Sequence, residues 1–280
     1  MTLNFTMLAQ NTDVDYVTQA SLAAMSIHKS NPGSKVSLIT NNNVPEEYQQ
    51  LFDEIVKIPW GDHASSEEWK ISNRWKIIHA SPYDKTIVLD TDVLILDNLT
   101  KYWEFVQQFD LYYTSNVLDY RENKIKDNYY RKHFQKFNLP NIYCAFHYFR
   151  KCEESFYFYK WIEYALVNWE KFQGEFAGGK YHQKVASVDL TTAIITKILG
   201  KETDITSNYI NAPVFTHMKT PLQGWNKQEA TSWQDIVGVY LNSDCELKIG
   251  NYRQRGIFHY TEDNFVNNNI LQTYKKAIGI

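Results

Sequence analysis

Two aspartates, Asp90 and Asp92, interrupt the otherwise apolar segment from Thr86 to Leu96. Burying two unpaired carboxylates would cost several kcal/mol, so they must be solvated, hydrogen-bonded or bound to a cation. Side chains two residues apart in an extended strand face the same side, so this pair at a strand end can point at one ion. Hard oxygen ligands suit Mg²⁺ or Mn²⁺, which complete their shells with water and substrate phosphates. The spacing therefore predicts a divalent-metal site that would neutralise a diphosphate.

The strand that leads to Asp90 is one of a series of strands that alternate with helices. The predicted strands are Leu3–Ala9, Lys35–Thr40, Glu54–Ile58 and Thr86–Leu89. The predicted helices between them are Tyr16–Lys29, Pro45–Phe52 and Glu67–Ala80. Such alternation is typical of an α/β fold with a mostly parallel sheet flanked by helices. Ligands of these sheets bind beyond the carboxyl ends of the strands, which is where Asp90 lies.

The pattern is less regular in the second half of the chain. Its predicted elements are a strand at Cys144–Arg150, helices at Phe156–Trp169 and Asp189–Leu199, and a late strand at Gly256–Tyr260. No long linker and no repeat of fixed period divides the chain. We therefore predict a single domain over residues 1–280, with a regular half at 1–115 and a decorated half at 116–280.

Composition excludes several classes of protein. The formal net charge is -3, so the chain lacks the positive field of a dedicated nucleic-acid binder. Three cysteines in no zinc-binding pattern favour neither a disulfide framework nor structural zinc, and they indicate a reducing compartment. No basic leader and no run of about 18 apolar residues occurs, so we expect a cytoplasmic protein without a membrane span. Aromatic residues form 15% of the chain, which fits either stacking on a flat partner or an aromatic-rich core.

Short motifs around the two aspartates carry a resemblance to a known family. Within Asn73–Glu104 they are Tyr83-Asp84-Lys85, Asp90-Thr91-Asp92 and Asp97-Asn98-Leu99. In these motifs the chain resembles the glycogenin and galactosyltransferase family (family 8-like), whose members are retaining glycosyltransferases of the GT-A fold. The likeness extends over most of the chain, including the opening segment Leu8–Tyr16.

This resemblance implies a GT-A-like (Rossmann-like) α/β fold and a metal-dependent glycosyltransferase. The implied donor is a nucleotide sugar, uridine-linked (UDP), and transfer proceeds with retention to a glycan or protein acceptor that the sequence does not identify. Residues 1–115 are then the half that binds the nucleotide sugar. Residues 116–280 are the acceptor-side half, which also supplies a late metal-binding strand.

By position, the resemblance assigns the metal to Asp90, Asp92 and His259, the last of these in Ile257–Tyr260. Imidazole is a more acceptable ligand for Mn²⁺ than for Mg²⁺, so a histidine in the site favours manganese over magnesium. His217 is a rival for the histidine position.

The resemblance also implies residues that bind the donor. Tyr16 is expected to stack on the base, while Asp13 accepts hydrogen bonds from base or ribose. Arg74 is expected at the phosphates and Thr91 beside the metal ligands. In each case a structural role is open as well, since Asp13 or Asp15 could cap the helix and Arg74 could be an exposed helix residue.

Asp189 resembles the acidic residue that faces the reacting sugar in this family. Together with Arg74 it is the expected catalytic residue, and an N-cap is the alternative role for its carboxylate. Two segments depart from the family pattern: Tyr143-Cys144-Ala145 replaces Asn-Ser-Gly, and Thr261–Asn264 replaces a Lys-Pro-Trp run.

The segment Asn116–Asn141 is rich in basic residues. Its composition favours a solvated helical face over a mobile flap on the acceptor side. The basic residues are Arg121, Lys124, Lys126, Arg131, Lys132 and Lys136.

Two other functions stay open. A haloacid-dehalogenase-type phosphatase also has an Asp-x-Asp motif after an apolar strand, but that motif normally opens the domain and here follows nearly ninety residues. A non-catalytic sugar-binding module could keep the fold without turnover.

Overall fold

The computed structural model describes residues 2–65, 67, 70–125, 131–176, 185–206, 212–219, 223, 225 and 232–280. The strands are β1 (Asn4–Leu8), β2 (Lys35–Ile39), β3 (Glu54–Val56), β4 (Lys85–Leu89), β5 (Val93–Ile95), β6 (Leu111–Thr114), β7 (Tyr143–Arg150), β8 (Phe215–His217), β9 (Val239–Leu241), β10 (Leu247–Ile249), β11 (Tyr252–Arg253) and β12 (Ile257–His259). The α-helices are α1 (Tyr16–Ser30), α2 (Glu46–Gln49), α3 (Ile77–Ala80), α4 (Thr100–Val106), α5 (Lys132–Lys136), α6 (Glu153–Val167), α7 (Trp169–Phe176), α8 (Val188–Ile198) and α9 (Asn268–Ile278). Short 3₁₀ helices span Arg74–Lys76, Trp233–Asp235 and Asp263–Phe265. Within the described ranges, no helix is both long and apolar enough to cross a membrane.

The largest sheet of the described residues has the strand order β3-β2-β1-β4-β7-β6. β1 pairs in parallel with β2 and β4, and β2 pairs in parallel with β3. β7 runs antiparallel to its neighbours β4 and β6. The predicted mostly parallel sheet flanked by helices is thus confirmed. Because β7 is reversed, its first residues lie at the carboxyl end of β4, where Phe146 pairs with Leu89.

Both faces of this sheet are buried. Ile87 and Leu89 of β4 belong to one apolar cluster, whereas Val88 between them belongs to a second. Helices α1 and α9 contribute to the first cluster, and helices α6 and α8 contribute to the second. A strand buried on both faces has a continuous apolar sequence, which is why β4 could be predicted from the sequence.

A smaller sheet of order β5-β12-β8 lies beyond the end of β4. β5 pairs antiparallel with β12, and β12 pairs in parallel with β8. This sheet brings the end of β12 beside the connection between β4 and β5. Strands β9, β10 and β11 form a separate antiparallel sheet.

The predicted helix Glu67–Ala80 is confirmed only from Arg74 onwards, where a 3₁₀ turn leads into α3, and residues 67 and 70–73 are not helical. The carboxylate of Glu67 accepts hydrogen bonds from the backbone N–H groups of Ile71 and Ser72 at 2.9 and 3.0 Å. Lys70 has a φ of 47°, in the left-handed region. A side chain that bonds nearby backbone in this way offers an alternative to helical hydrogen bonding. Residues 66, 68 and 69 of the predicted helix lie outside the described residues.

Candidate metal and donor-binding site

The Asp90-Thr91-Asp92 motif lies in a turn between β4 and β5. The N–H of Asp90 donates to the carbonyl of Ala145 at 3.0 Å, and the carbonyl of Asp92 accepts from the N–H of Tyr260 at 3.1 Å. The turn is therefore held by β7 on one side and by the residue after β12 on the other. The expected extended geometry is wrong here, because β4 ends at Leu89. It is the turn, and not strand alternation, that brings the two carboxylates together.

His259 adds an imidazole to the two carboxylates. It is the last residue of β12 and pairs with Val93, the residue that follows Asp92. Its Nε2 lies 2.9 Å from Oδ2 of Asp92. One ligand atom from each of Asp90, Asp92 and His259 lies within 4.8 Å of the others. The structure thus brings His259 next to Asp92, although the two residues are 167 positions apart in the sequence.

Burial and mutual charge set the protonation of this cluster. Burial alone would lower the pKa of His259, but Asp92, Asp90 and Asp189 raise it above its usual value. Burial alone would raise the pKa of Asp92, but His259 and Arg74 hold it below its usual value. The two opposing shifts show that Asp92 and His259 favour each other's charged forms. A cation bound here would take over this role from the proton, since metal ligands bind in their deprotonated forms.

The donor atoms of this cluster fit a divalent cation. Two carboxylates and one imidazole suit Mn²⁺ well and Mg²⁺ less well, because magnesium prefers oxygen ligands. The Nδ1 atom of His259 is buried without a hydrogen-bond partner, so the ring is not committed to another polar group. Asp90 and Asp92 are half-buried, which leaves one side of the cluster accessible to phosphate and water. Among the residues that the structure describes, this is the one group of such ligands.

His217 lies next to this group without joining it. Its ring stacks on that of His259 with centroids 4.4 Å apart and planes 4° apart, because the two residues are in register on β8 and β12. Burial, with the charges of His259 and Lys219, holds the pKa of His217 well below its usual value. A neutral, buried ring in this position restricts the orientation of His259. The geometry therefore favours a supporting role for His217 over the rival role of ligand.

Arg74 lies on the other side of the cluster. Its Nη1 is 2.6 Å from Oδ1 of Asp90, and both side chains are 24% exposed. The preceding residue, Asn73, is fully buried and donates through Nδ2 to Oδ1 of Asp62 at 2.6 Å and to Oε1 of Gln10 at 3.2 Å. Gln10 follows β1, so Arg74 is anchored across the carboxyl ends of β1 and β4. It is not the exposed helix arginine of the alternative interpretation.

Tyr16 begins α1, just beyond the carboxyl end of β1. Its ring packs against the apolar core. Burial, followed by the charges of Asp263 and Asp92, raises the pKa of its phenol, so the side chain lies within electrostatic range of the metal-ligand cluster. Asp15, and not Asp13, caps the helix by accepting a hydrogen bond from the N–H of Thr18 at 3.1 Å. Asp13 is exposed in the preceding turn.

Thr91 points into the protein between the two aspartates. Its hydroxyl donates to Oε1 of Gln19 at 3.2 Å, and Nε2 of Gln19 donates to Oδ1 of Asp263 at 3.2 Å. Burial and the nearby charge of Asp92 raise the pKa of Asp263. Asp263 belongs to the segment that replaces the family's Lys-Pro-Trp run. A carboxylate in that segment adds negative charge to the site, where the family pattern supplies a lysine.

Asp189 lies in the first turn of α8, near the same end of the large sheet. Ser187 is the N-cap of that helix, because its hydroxyl accepts from the N–H of Leu190 at 3.3 Å. The carboxylate of Asp189 accepts from the N–H of Cys144 at 2.8 Å and pairs with Nη1 of Arg131 at 3.0 Å. The residue after Cys144 is Ala145, whose carbonyl holds Asp90. Two consecutive residues of β7 therefore link Asp189 to the metal-ligand turn.

Arg131 is a site residue that the sequence interpretation missed. Its side chain is 3% exposed, and the guanidinium carbon lies 3.7 and 3.9 Å from the ring centroids of Phe134 and Tyr143. The solvated-face interpretation of Asn116–Asn141 is therefore wrong for Arg131, although Arg121, Lys124 and Lys136 are exposed and Lys132 is half-buried. Lys126 lies outside the described residues. The aromatic residue three positions later, Phe134, was the available signal that Arg131 stacks on rings.

Neither a protein-family model nor a curated protein sequence matches the chain. Solved structures match it in fold. The galactosyltransferase LgtC, solved with donor and acceptor sugar analogs, matches with a TM-score of 0.50 at 13% identity, over 99% of this chain and 95% of that chain. Mouse xyloside xylosyltransferase 1 matches with a TM-score of 0.52 at 12% identity, over 96% of this chain and 99% of that chain.

The glycosyltransferase GlyE of Streptococcus pneumoniae TIGR4 matches with a TM-score of 0.50 at 13% identity. The match covers 99% of this chain but 60% of GlyE, so this chain spans less than two thirds of that protein. All three are glycosyltransferases, and at such low identity the likeness establishes the fold. The chain has the α/β fold that these glycosyltransferases share, in agreement with the GT-A-like fold implied by the sequence resemblance.

Proposed function

We propose that this protein is a metal-dependent glycosyltransferase that takes a sugar from a nucleotide-sugar donor, with UDP as the nucleotide and Mn²⁺, or else Mg²⁺, as the metal. The observation that carries the proposal is the convergence of Asp90, Asp92 and His259 at the carboxyl end of β4. In open α/β sheets, that end of the strands is where ligands bind. The shared fold, together with the donor and acceptor sugar analogs named for LgtC, supports transfer of a sugar from a donor to an acceptor.

In this proposal, Asp90, Asp92 and His259 would hold the cation, which would supply positive charge to neutralise the diphosphate leaving group. Arg74, paired with Asp90, donates from its planar fork to phosphate oxygens. Tyr16 stacks on the base, beyond the end of β1. Asp13 accepts hydrogen bonds from the base or ribose, and Thr91 supports the donor site from inside the protein, where its hydroxyl donates to Gln19 and holds the turn between the two ligands.

Sugar transfer breaks the bond between the sugar C1 and the diphosphate oxygen and forms a bond from C1 to an acceptor hydroxyl oxygen, with retention. The hydroxyl proton passes to the departing diphosphate, which leaves as the nucleoside diphosphate. Positive charge develops on the sugar ring as the first bond breaks. Asp189 stabilises that charge or orients the acceptor hydroxyl. Its carboxylate acts electrostatically on His259, which supports a position near the reacting atoms. Arg131 holds the carboxylate of Asp189 in place through their 3.0 Å ion pair.

The proposal also assigns roles to the two halves of the chain. Residues 1–115 bind the donor, and residues 116–280 supply Asp189, His259 and the acceptor side. We further propose that the protein works in the cytoplasm, because Cys144, Cys152 and Cys245 are all free thiols.

A thermal-shift screen tests the metal and the donor together. UDP-glucose, UDP-galactose, UDP-N-acetylglucosamine and GDP-mannose are added with Mn²⁺ or with EDTA. We expect a UDP-sugar to raise the Tm only with Mn²⁺, because the cation joins the diphosphate to the carboxylates. Asp92→Asn should abolish that shift, whereas Asp244→Asn, at an exposed carboxylate, should keep it. Equal shifts in EDTA would contradict the metal assignment.

Product analysis separates this function from the two alternatives. A glycosyltransferase releases UDP from its donor slowly in water and faster with an acceptor. A haloacid-dehalogenase-type phosphatase releases phosphate from p-nitrophenyl phosphate, and a sugar-binding module releases neither product. Phosphate release that depends on Asp90, without UDP release, would replace the proposal with the phosphatase.

A further inference from the structure

A groove outside the metal-ligand cluster combines exposed aromatic rings with charged side chains. It has a volume of about 470 Å³ and is called the Trp60 groove below. It is lined by Trp60, Trp75, His79, Glu153, Phe156, Tyr157, Lys160 and Glu163. One wall comes from the loop after β3 and the helical turns of residues 74–80, and the other comes from α6. The volume is within the range of small-molecule binding sites.

Trp60 gives this groove an unusual aromatic surface. Its indole is 62% exposed and stacks on Trp75, with ring centroids 5.5 Å apart and planes 8° apart. His79 meets both rings edge to face, at 5.0 and 5.8 Å. Trp60 also has a φ of 57°, a left-handed conformation that is uncommon for a bulky residue. The inner indole face is thus fixed on Trp75, and the remaining surface of the ring is held open to solvent.

The opposite wall is one stripe of α6. Residues 153, 156, 157, 160 and 163 recur at helical spacing, so their side chains lie on the same face of the helix. Tyr157 is 51% exposed. Glu153, Lys160 and Glu163 add hydrogen-bonding groups of both kinds, acceptors and a donor, around the aromatic rings.

We propose that the Trp60 groove binds a neutral saccharide, separately from the proposed donor site. A pyranose has apolar C–H faces and a polar hydroxyl edge, so it fits an indole face on one side and charged groups at the rim on the other. The lining carries Glu153 and Glu163 against Lys160, and Lys76 lies 5.6 Å from the Trp75 ring, so the groove lacks the strong positive field that would select phosphorylated ligands, nucleic acid or anionic lipid surfaces. A purely apolar ligand would remove water from the charged groups of Glu153, Lys160 and Glu163 without replacing their hydrogen bonds. Sugar hydroxyls can form those hydrogen bonds.

The groove shares its support with the candidate active site. Trp75 directly follows Arg74, whose guanidinium pairs with Asp90. The loop that carries Trp60 is tied to the same 3₁₀ helix, because Lys76 donates to the carbonyl of Gly61 and Asn73 donates to Asp62. A saccharide held on Trp60 is therefore held by the same loop and 3₁₀ helix that position Arg74. Its binding needs neither metal nor nucleotide.

The test measures saccharide binding in EDTA without nucleotide, so that it stays independent of the proposed transferase. Maltotriose, cellotriose, triacetylchitotriose and lactose are titrated up to millimolar concentrations, with tryptophan fluorescence and saturation-transfer NMR as readouts. We expect saturable binding of at least one probe. Trp60→Ala should weaken that binding at least about tenfold, which corresponds to about 1.4 kcal/mol. Trp60→Phe should retain most of the binding, since an aromatic face remains.

Three controls make the result specific. Tyr240→Ala removes an equally exposed aromatic ring elsewhere, 63% exposed, and should leave binding unchanged. Asp92→Asn should also leave it unchanged, so loss of the transferase function would not affect this test. Circular dichroism checks that Trp60→Ala keeps the fold.

Several results would overturn the proposal. These are no saturable binding of any of the four probes, equal binding to Trp60→Ala, or tighter binding of glucose 1-phosphate than of the neutral sugars. A change of the protein from dimer to monomer in Trp60→Ala, without saccharide binding, would assign the groove to a second copy of the chain instead.

Discussion

Two groups of charged side chains meet at the start of β7, and they are neutralised in different ways. Around Asp90 and Asp92, the partners are Arg74 and His259, whose pKa is raised by the aspartates, and Asp263 adds a further carboxylate nearby. Around Asp189, the charge is balanced by Arg131, which is 3% exposed and stacked between two rings. The first group can exchange a proton for a cation from solution. The second has its cation built into the protein.

This difference separates two uses of an aspartate within one site. A carboxylate that binds an exchangeable ion needs a partner that can leave, and the imidazolium of His259 can do so by losing a proton. An arginine keeps its charge at every accessible pH, and displacing a buried one would leave an uncompensated charge. We therefore expect Asp92 to respond to metal and Asp189 to respond to Arg131. Four predictions test this comparison.

The largest expected effect is on catalysis. Asp92→Asn should lower the rate of UDP release from the donor by at least about 100-fold, as for the loss of other groups that stabilise transition-state charge. EDTA should do the same to the unchanged protein. Asp244→Asn, at an exposed carboxylate, should keep the full rate. Full turnover in excess EDTA would show that the two groups do not differ in their need for metal.

The second effect concerns the built-in cation. Arg131→Met keeps much of the side-chain volume but leaves Asp189 without its partner, so it should lower the free energy of unfolding by about 2–3 kcal/mol. The double variant Arg131→Met with Asp189→Asn should recover part of this stability, because no unpaired charge remains. Activity should stay low in both. Urea unfolding measures the first quantity, and Arg121→Met is the exposed control. No difference between the single and double variants would show that Arg131 acts by packing alone.

The third prediction concerns the pH dependence of stability and His147, which lies on β7, the strand that contacts both the Asp90–Asp92 group and the Asp189 group. His147 of β7 donates from Nδ1 to the carbonyl of Cys144 at 2.8 Å, and its Nε2 accepts from the hydroxyl of Tyr159 at 2.9 Å. A carbonyl oxygen can only accept, so Nδ1 carries a hydrogen. With Nε2 as the acceptor of the Tyr159 hydroxyl, the ring is the neutral Nδ1–H tautomer. Burial lowers the pKa of His147 to about 4.

The sign of the pH effect follows from this lowered pKa. The unfolded chain binds a proton near pH 6.5 and the folded protein near pH 4, so this stabilisation is complete above the unfolded pKa and is lost as the pH falls. We expect His147 to contribute about 2 kcal/mol to the loss of stability between pH 7 and pH 5, in addition to the contribution of His217. Urea unfolding at both pH values checks it, and His147→Gln should reduce the pH dependence by that amount. An unchanged dependence in the variant would assign it to other groups.

The smallest effect lies at the edge of the metal group. Tyr16→Ala should raise the donor KM about tenfold with little change in kcat, because stacking on a base is made equally in ground and transition states. Tyr16→Phe keeps the ring and should keep the KM. Unchanged nucleotide affinity in Tyr16→Ala would limit this side chain to its packing role in the core.

The sequence by itself determined the elements whose patterns are local. β4 was predictable because a strand buried on both faces is apolar throughout, and the interruption at Asp90 marked its end. The α1 helix was predictable from its stripe of apolar residues, whereas the choice between Asp13 and Asp15 as its cap was decided by the structure in favour of Asp15. The residues of Glu67–Ala80 favour a helix, but the carboxylate of Glu67 accepts hydrogen bonds from the backbone of Ile71 and Ser72 instead. Residue types alone do not show which of two competing sets of local hydrogen bonds will form.

Only the tertiary structure decided how those elements form a site. The Asp90-Thr91-Asp92 motif could be recognised, yet the turn that aims its carboxylates depends on bonds to Ala145 and Tyr260 from other strands. Arg131 pairs with Asp189 although the two are 58 positions apart in the sequence. Three other basic residues of its segment, Arg121, Lys124 and Lys136, are exposed, so the pattern of charges did not reveal that Arg131 is buried. Trp60 and α6 form one groove only because the 3₁₀ helix after Asn73 packs on α6. A side chain's protonation and partners are set by what packs against it, and those contacts come from distant parts of the chain.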